Sequence, residues 1–371
     1  MTFESWKTDF LRRALDGGVS SEIVDRVSPF LKSNSTVLKA DMTQPETQKT
    51  LQQYVEMMVS ETRISQGQAA LLEYAKMFDQ IEIKHKVDRH IVAAIWGMET
   101  NYGRIRGDVP VLSALSTLAY QGRRRSMFEE QLLAVFEIIN QGIKSPNQIL
   151  GSWAGAMGHT QFMPKSYIKF AVSAVNGEPD IWEDDPTDSL TSTAHFLICH
   201  GWAPKIPWGQ VVYSSKSEGL GCLLKYDAQW VKDWKSLGVL SKNSNLENYI
   251  ASLILPGGAS SLAFLVSENF NSLLRYNNSP AYAISVGHLA DRLQGGPALK
   301  FPPGGDPRGL SQSEIKFLQN QLTKLGFDTI GADGFIGPNT KKAIEAYQVA
   351  HNLPVDGFAG ISLLEKLQSI L

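Results

Sequence analysis

Apolar residues recur at helical spacing through most of the first 145 positions. Phe10, Ala14 and Leu15 form an early face, Ala70, Leu71, Tyr74, Ala75 and Phe78 a second, and Phe128, Leu132, Val135, Phe136 and Ile139 a third. Positions 145–190 are rich in Gly, Pro, Ser and Asp and read as loop with short helices. Short apolar runs such as QVVY and GCLLKY between 205 and 250 predict a few strands of a small subdomain, and Phe264 to Leu293 returns to helical spacing. FPPGGDPRG at 301–309 has three Pro and three Gly, cannot continue a helix or strand, and is expected to be a linker. The unit at 310–371 carries an internal echo, ADGFIGPNT at 332–340 and VDGFAGISL at 355–363, each a turn before a helix. The predicted fold is mainly α (α+β), with a domain at 1–300 that includes the mixed subdomain, a Pro/Gly linker at 301–309 and a small helical domain at 310–371.

One position breaks the apolar pattern. In AAIWGMETNYG, Glu99 is the only charged residue between Ile91 and Arg104. Trp96, Ile95 and Val92 precede it by three, four and seven positions and share its helix face. Desolvating a carboxylate is costly, so Glu normally faces water. Two explanations remain open at this point. Glu99 lies at a helix end, tilted to solvent with Gly103 as the C-cap; or it is a general acid whose apolar surroundings favour the protonated form.

Composition excludes little. The 371 residues are 43% hydrophobic and 19% charged, ordinary for a globular chain long enough for two or more domains. A net charge of −2 gives no basic field for nucleic acid. The start, MTFESWKTDFLRR, has no signal-peptide pattern, and no apolar run is long enough to span a bilayer. Cys199 and Cys222 form no metal spacing; a bridge in an oxidising compartment stays open, and small buried residues are the expectation for a chain this large. His85/His90 and His195/His200, each spaced by five, splay apart on a helix and offer no metal site.

A second stretch, GSWAGAMGHTQFMPKSY at 151–167, resembles the signature loop of the lytic transglycosylase B family of peptidoglycan-cleaving enzymes. METNYG at 98–103 resembles the Glu-Thr-x-x-Gly helix end that precedes that loop in the family, and RYNNSPAYAISVGHLADRL at 275–293 resembles its Tyr-Asn…Tyr-Ala helix. The tail from Leu310, with DGFIGPNTKKAIEAYQ, resembles a three-helix peptidoglycan-binding module. The resemblance implies a lysozyme-like catalytic domain with Glu99 as its single catalytic acid. The implied reaction cleaves the β-1,4 bond between N-acetylmuramic acid and N-acetylglucosamine without water, leaving a 1,6-anhydro sugar.

The same resemblance implies roles for other residues. Ser152 falls near the sugar acetamide, Gln161 bonds the sugar, and Met157 and Phe162 shape the cleft. Tyr276 and Asn277 lie near the cleaved bond, with Tyr282 as a further aromatic contact. Arg123 and Arg124 line the groove, where fixed positive charge suits lactyl and acidic stem-peptide groups.

An ordinary glycosidase needs a second carboxylate; Asp108 and the cluster Glu183-Asp184-Asp185 are the nearest in sequence, and the cluster is expected to be a solvated loop. Some relatives carry a calcium loop of EF-hand type, but AVSAVNGEPDIWEDD at 171–185 has Val172 and Ala174 where oxygen ligands belong, so no metal or cofactor is expected. A hydrolytic muramidase or a non-catalytic wall-binding protein are the rival readings. The expected setting is the periplasm, with any signal or lipid anchor outside this chain. The expected partners are peptidoglycan glycan strands and cell-wall synthesis enzymes, with no nucleic acid, and the protein is expected to be a monomer.

Overall fold

The computed structural model describes residues 2–42, 49–122, 124–215, 219–224, 226–241 and 248–370. The chain forms two compact units, one from 1–44 with 62–200, the other from 45–61 with 201–371.

The first unit is helical. Thr2 opens helix Phe3–Asp16 with a reciprocal capping box to Ser5. That helix buries Trp6, Phe10 and Ala14 at successive turns, and the Trp6 and Phe10 rings stack at 5.5 Å. Leu15, one step of about 100° beyond Ala14, falls off this stripe and is 42% exposed, against expectation. The face expected over 70–78 is divided at Tyr74 between helices Glu61–Glu73 and Ala75–His85. Helix Val111–Gln121 is buried at every position from Val111 to Ala119, its polar Ser113, Ser116 and Thr117 bonded to backbone carbonyls, and packs along Arg125–Asn140. Glu129 is buried there in ionised company: Trp6 Nε1 donates to Oε1 at 2.9 Å, and Arg13 grips both oxygens at 2.8 and 2.9 Å.

The second unit combines a sheet with helices. Five strands lie in the order Gln229–Trp230, Ile250–Ile254, Ala263–Val266, Gly209–Ser214, Val239–Ser241, antiparallel throughout. QVVY forms part of the fourth as expected. GCLLKY does not form a strand: Leu220 and Leu223 bury three apart, the spacing of the 3-10 turn Gly221–Leu223. Phe264 belongs to a strand buried at all four positions, which lacks alternation and so reads like a buried helix in sequence. Helices Glu268–Tyr276 and Pro280–Leu293 follow.

The last three helices, Gln312–Lys324, Pro338–Ala350 and Ile361–Gln368, enclose their own apolar cluster, including Leu318, Ile344, Tyr347 and Leu364. The sequence echo has a structural counterpart. Gln319 donates to Asp333 Oδ1 at 3.0 Å and accepts from Gly334 N at 2.9 Å; Gln348 donates to Asp356 Oδ1 at 2.7 Å and accepts from Gly357 N at 2.9 Å. Each Asp in turn caps the amide of the following Phe. Asp356 also accepts from Ala259 N at 2.9 Å, and Asp306 from Ile361 N at 2.9 Å, tying this helical segment to the rest of the unit.

Both cysteines are exposed thiols, contrary to expectation. Cys199 ends helix Thr187–Cys199 and Cys222 lies in the short 3-10 turn, each pointing off the buried side of its element. Among the described residues, no helix is long and apolar enough to cross a membrane.

Candidate active site

Glu99 sits in the last turn of helix Arg89–Thr100, whose residues from Ile91 to Met98 are all buried. Val92 and Ile95 have no exposed surface and Trp96 is 2% exposed, while Glu99 is half-buried. The helix does not run on to a cap at Gly103. Asn101 takes the left-handed cap conformation at φ 51°, and Tyr102 follows at φ 60°. Two successive non-glycine residues in this region each store about 1–3 kcal/mol of strain, a feature that clusters at functional sites. The turn folds Tyr102 back over its own helix: a Cβ on Gly97 would lie 2.5 Å from the Tyr102 ring, so only glycine admits this approach. Burial raises the Tyr102 phenol pKa.

The loop 151–167 is built against the end of this helix. Gly151, Met157 and Phe162 pair through isolated bridges, and Ser152 closes a tight turn, its Oγ accepting from Ala156 N at 3.1 Å. Met157 and Phe162 are buried beneath the loop. Gln161, at φ 55°, donates its side-chain amide to Arg106 O at 3.1 Å and Gly158 O at 3.0 Å. Gly107, at φ 84°, passes so close that a Cβ would meet Gly151 O at 2.2 Å. Thr100 Oγ1, next to Glu99, donates to His159 O at 2.6 Å and accepts from Gly103 N at 3.0 Å. The structure thus joins the helix end that carries Glu99 to the loop that carries Ser152 and Gln161.

The other carboxylates have different employment. Asp108 is exposed. Asp184 pairs with Arg106, Glu183 Oε1 lies 3.1 Å from Lys144 Nζ, and Asp185 caps Thr187 N at 2.9 Å. All three are exposed, the solvated loop expected, and their contacts are ion pairs and a cap.

The same contacts test the calcium loop. Lys144, 13% exposed, places its ammonium 2.6 Å from Asp180 Oδ2, and Asp188 accepts from Ala174 N and Asp180 N. Oxygens already held by an ammonium and by backbone amides do not make a calcium cage, so the donor set does not fit that ion. Among the described residues no group of three or more His, Cys, Asp or Glu is placed to hold a metal. The histidine pairs do not share a helix as expected: His85 ends helix Ala75–His85, His90 begins the next, and His200 caps helix Thr187–Cys199, while tertiary packing brings His85 and His195 to 6.0 Å between ring centres.

Of the remaining sequence-derived residues, Arg124 is exposed at the N-cap of helix Arg125–Asn140, and Arg123 lies outside the described residues. Tyr276, Asn277 and Tyr282 belong to the second unit. Tyr276 ends its helix, Asn277 is the exposed cap, and Tyr282 is 3% exposed within the next helix. Sequence reasoning missed Arg106, Lys144 and His159. Their partners lie 24 to 78 positions away, beyond any local signal.

The family described as Transglycosylase SLT domain matches residues 2–291, and the family described as Putative peptidoglycan binding domain matches 311–367. The membrane-bound lytic murein transglycosylase B of Escherichia coli K12 is 28% identical over 244 residues, 65% of this chain and 66% of that protein's length. SltB3 of Pseudomonas aeruginosa, solved with NAG-anhNAM-pentapeptide, superposes with a TM-score of 0.90 at 38% identity, covering 99% of this chain and 100% of that one. Its complex with NAG-NAM-pentapeptide gives the same TM-score at 39% identity. The lytic transglycosylase Slt35 of Escherichia coli, solved with calcium, shares the fold at a TM-score of 0.65 and 24% identity over 78% of this chain and 92% of that one. With its lysozyme-like fold and the three-helix domain at its C-terminus, the chain belongs to the lytic transglycosylases of the SLT family.

Proposed function

We propose that the chain cleaves the β-1,4 bond between N-acetylmuramic acid and N-acetylglucosamine in peptidoglycan, with Glu99 as acid and then base. One observation carries this reading: Glu99 is the one carboxylate of a buried apolar helix, and its neighbour Thr100 is hydrogen-bonded to the loop that holds Ser152 and Gln161. The nearby acids Glu183, Asp184 and Asp185 serve ion pairs and a cap instead. SltB3, so similar over its whole length, was solved with both an intact and an anhydro muropeptide.

In this reading Glu99, kept protonated by Trp96, Ile95 and Met98, gives its proton to the glycosidic oxygen as the bond to muramic acid C1 breaks. The acetamide of that sugar stabilises the oxocarbenium-like centre. The C6 hydroxyl of the same sugar then attacks C1 while the Glu99 carboxylate takes its proton, which restores the acid. No water enters, and the intramolecular attack removes the entropy cost of recruiting a second molecule. Ser152 is assigned to the acetamide and Gln161 to a sugar hydroxyl through its carbonyl. Met157 and Phe162 hold the floor of the loop. Tyr276, Asn277 and Tyr282 are assigned to sugar contacts, and Arg123 and Arg124 to acidic groups of the strand.

Residues 310–371, after the linker at 301–309, raise the local concentration of cleavable bonds by holding the polymer. Action on peptidoglycan implies the periplasm. The test is mass spectrometry of products from purified peptidoglycan. Muropeptides one water lighter than hydrolysis products, absent with Glu99→Gln, support the reading. Products of normal reducing-end mass make the chain a muramidase, and no products from the wild type leave a wall-binding protein.

A further inference from the structure

His159 stands where three segments meet. It is 4% exposed and sits in the loop 151–167 between Gly158 and Thr160. Nδ1 lies 3.2 Å from Trp96 Nε1 on the helix of Glu99, and Nε2 lies 2.9 Å from Glu183 O on the acidic loop. Its own carbonyl accepts from Thr100 Oγ1. Gly103 makes the approach possible, since a Cβ there would lie 2.5 Å from Nδ1.

These contacts fix the tautomer. An indole N–H only donates, so Nδ1 must accept, and the ring proton must sit on Nε2 and point at Glu183 O. Arg106 Nη1 is 3.3 Å from Nε2 but also donates to Glu183 O at 2.6 Å, so two donors converge on one carbonyl. Burial agrees with a neutral ring. Burial lowers the His159 pKa, the Glu183 carbonyl opposes that, Arg106 lowers it further, and Asp184 and Asp185 raise it; the net direction is down.

We propose that His159 is a positioning residue for the transglycosylase reaction: as a neutral imidazole anchored on the acidic loop, it clamps Trp96, one turn before Glu99, to the loop 151–167, and so sets the direction of the Glu99 carboxyl. The inference rests on Glu99 being the acid. Trp96 is the natural lever. It shares a helix face with Glu99, and its ring is also held by Tyr74 at 5.6 Å and Tyr102 at 5.7 Å. A proton donor displaced by about 1 Å loses on the order of 100-fold in rate, whereas substrate contacts made elsewhere are untouched.

The experiment is steady-state kinetics of the full chain on soluble glycan strands, with thermal melting as a check on folding. The variants are His159→Leu, His159→Asn, Trp96→Phe and the double variant His159→Leu with Trp96→Phe. Expected for His159→Leu is a fall in kcat of roughly 10- to 100-fold with KM unchanged. Asparagine can accept from the indole through Oδ1, so His159→Asn recovers most of the loss. Trp96→Phe removes the same bond, and the double variant should fall no further than the worse single. Unchanged kcat in a folded His159→Leu protein, or losses that multiply in the double variant, overturn the clamp. If His159→Leu does not fold, His159→Asn placed in the Trp96→Phe background must add no further loss, and a further loss overturns the clamp. Full activity in Glu99→Gln instead overturns the reading of the acid beneath it, so the two failures are distinguishable.

Discussion

The ammonium of Lys144 lies 2.6 Å from Oδ2 of Asp180 and 3.1 Å from Oε1 of Glu183, and stands over the Trp182 ring at 6.0 Å. This side chain supplies within the fold the positive charge that a bound cation could otherwise bring to the 180–185 loop. Millimolar calcium should therefore leave the thermal melt of the wild type unmoved, whereas Lys144→Gln should lower stability by about 1–2 kcal/mol. A calcium-induced rise of several degrees in the wild type would refute this account of the loop.

The acidic cluster has structural duties, which separates it from catalysis. Asp185→Asn keeps an oxygen acceptor for Thr187 N, so anhydro products should persist at a rate within a few-fold of wild type. Product mass spectrometry checks this: loss of all cleavage would reinstate the cluster as the source of a second catalytic carboxylate.

The paired Gln clasps predict where the C-terminal helices are vulnerable. Gln319 is 1% exposed and holds both Asp333 and Gly334. Gln319→Leu takes this partner from the buried Gly334 amide and Thr340 hydroxyl, at about 1–3 kcal/mol each. Sedimentation with insoluble peptidoglycan should weaken, while cleavage of soluble fragments is retained. Equal sedimentation of variant and wild type would argue against this segment as the tether.

Acid should destabilise the protein through buried histidines. Burial pushes His288 down to about 4 from the ordinary 6.5, with Arg292 adding to the effect, and its Nε2 accepts from Leu299 N at 3.3 Å. His85 is likewise pushed down to about 4, first by burial and then by Lys84 and His195. Both are neutral in the folded chain but take protons readily when unfolded. Their contribution is thus complete above about pH 6.5 and is lost as pH falls toward 4. Melting temperature should drop across that window, and His288→Gln should flatten the drop; an identical pH slope in the variant would rule His288 out as a contributor.

Much of this molecule is legible in the chain itself. Helical spacing located the Arg125–Asn140 core face, the Pro/Gly run marked a break at 301–309, and the DGF echo announced a repeated turn. Glu99 stood out because a carboxylate on an apolar face is costly wherever the helix lies. These features depend on contacts a few residues long, which sequence spacing encodes directly. The misreadings share one cause. Phe264 and GCLLKY are short apolar runs, and such runs have no period that distinguishes a fully buried strand from one turn of helix. The side chains of Arg106, Lys144 and His159 carry no local mark at all. What each does is set by partners 24 to 78 positions away, because a hydrogen bond or ion pair needs atoms within about 3 Å, and only the tertiary fold brings distant segments that close.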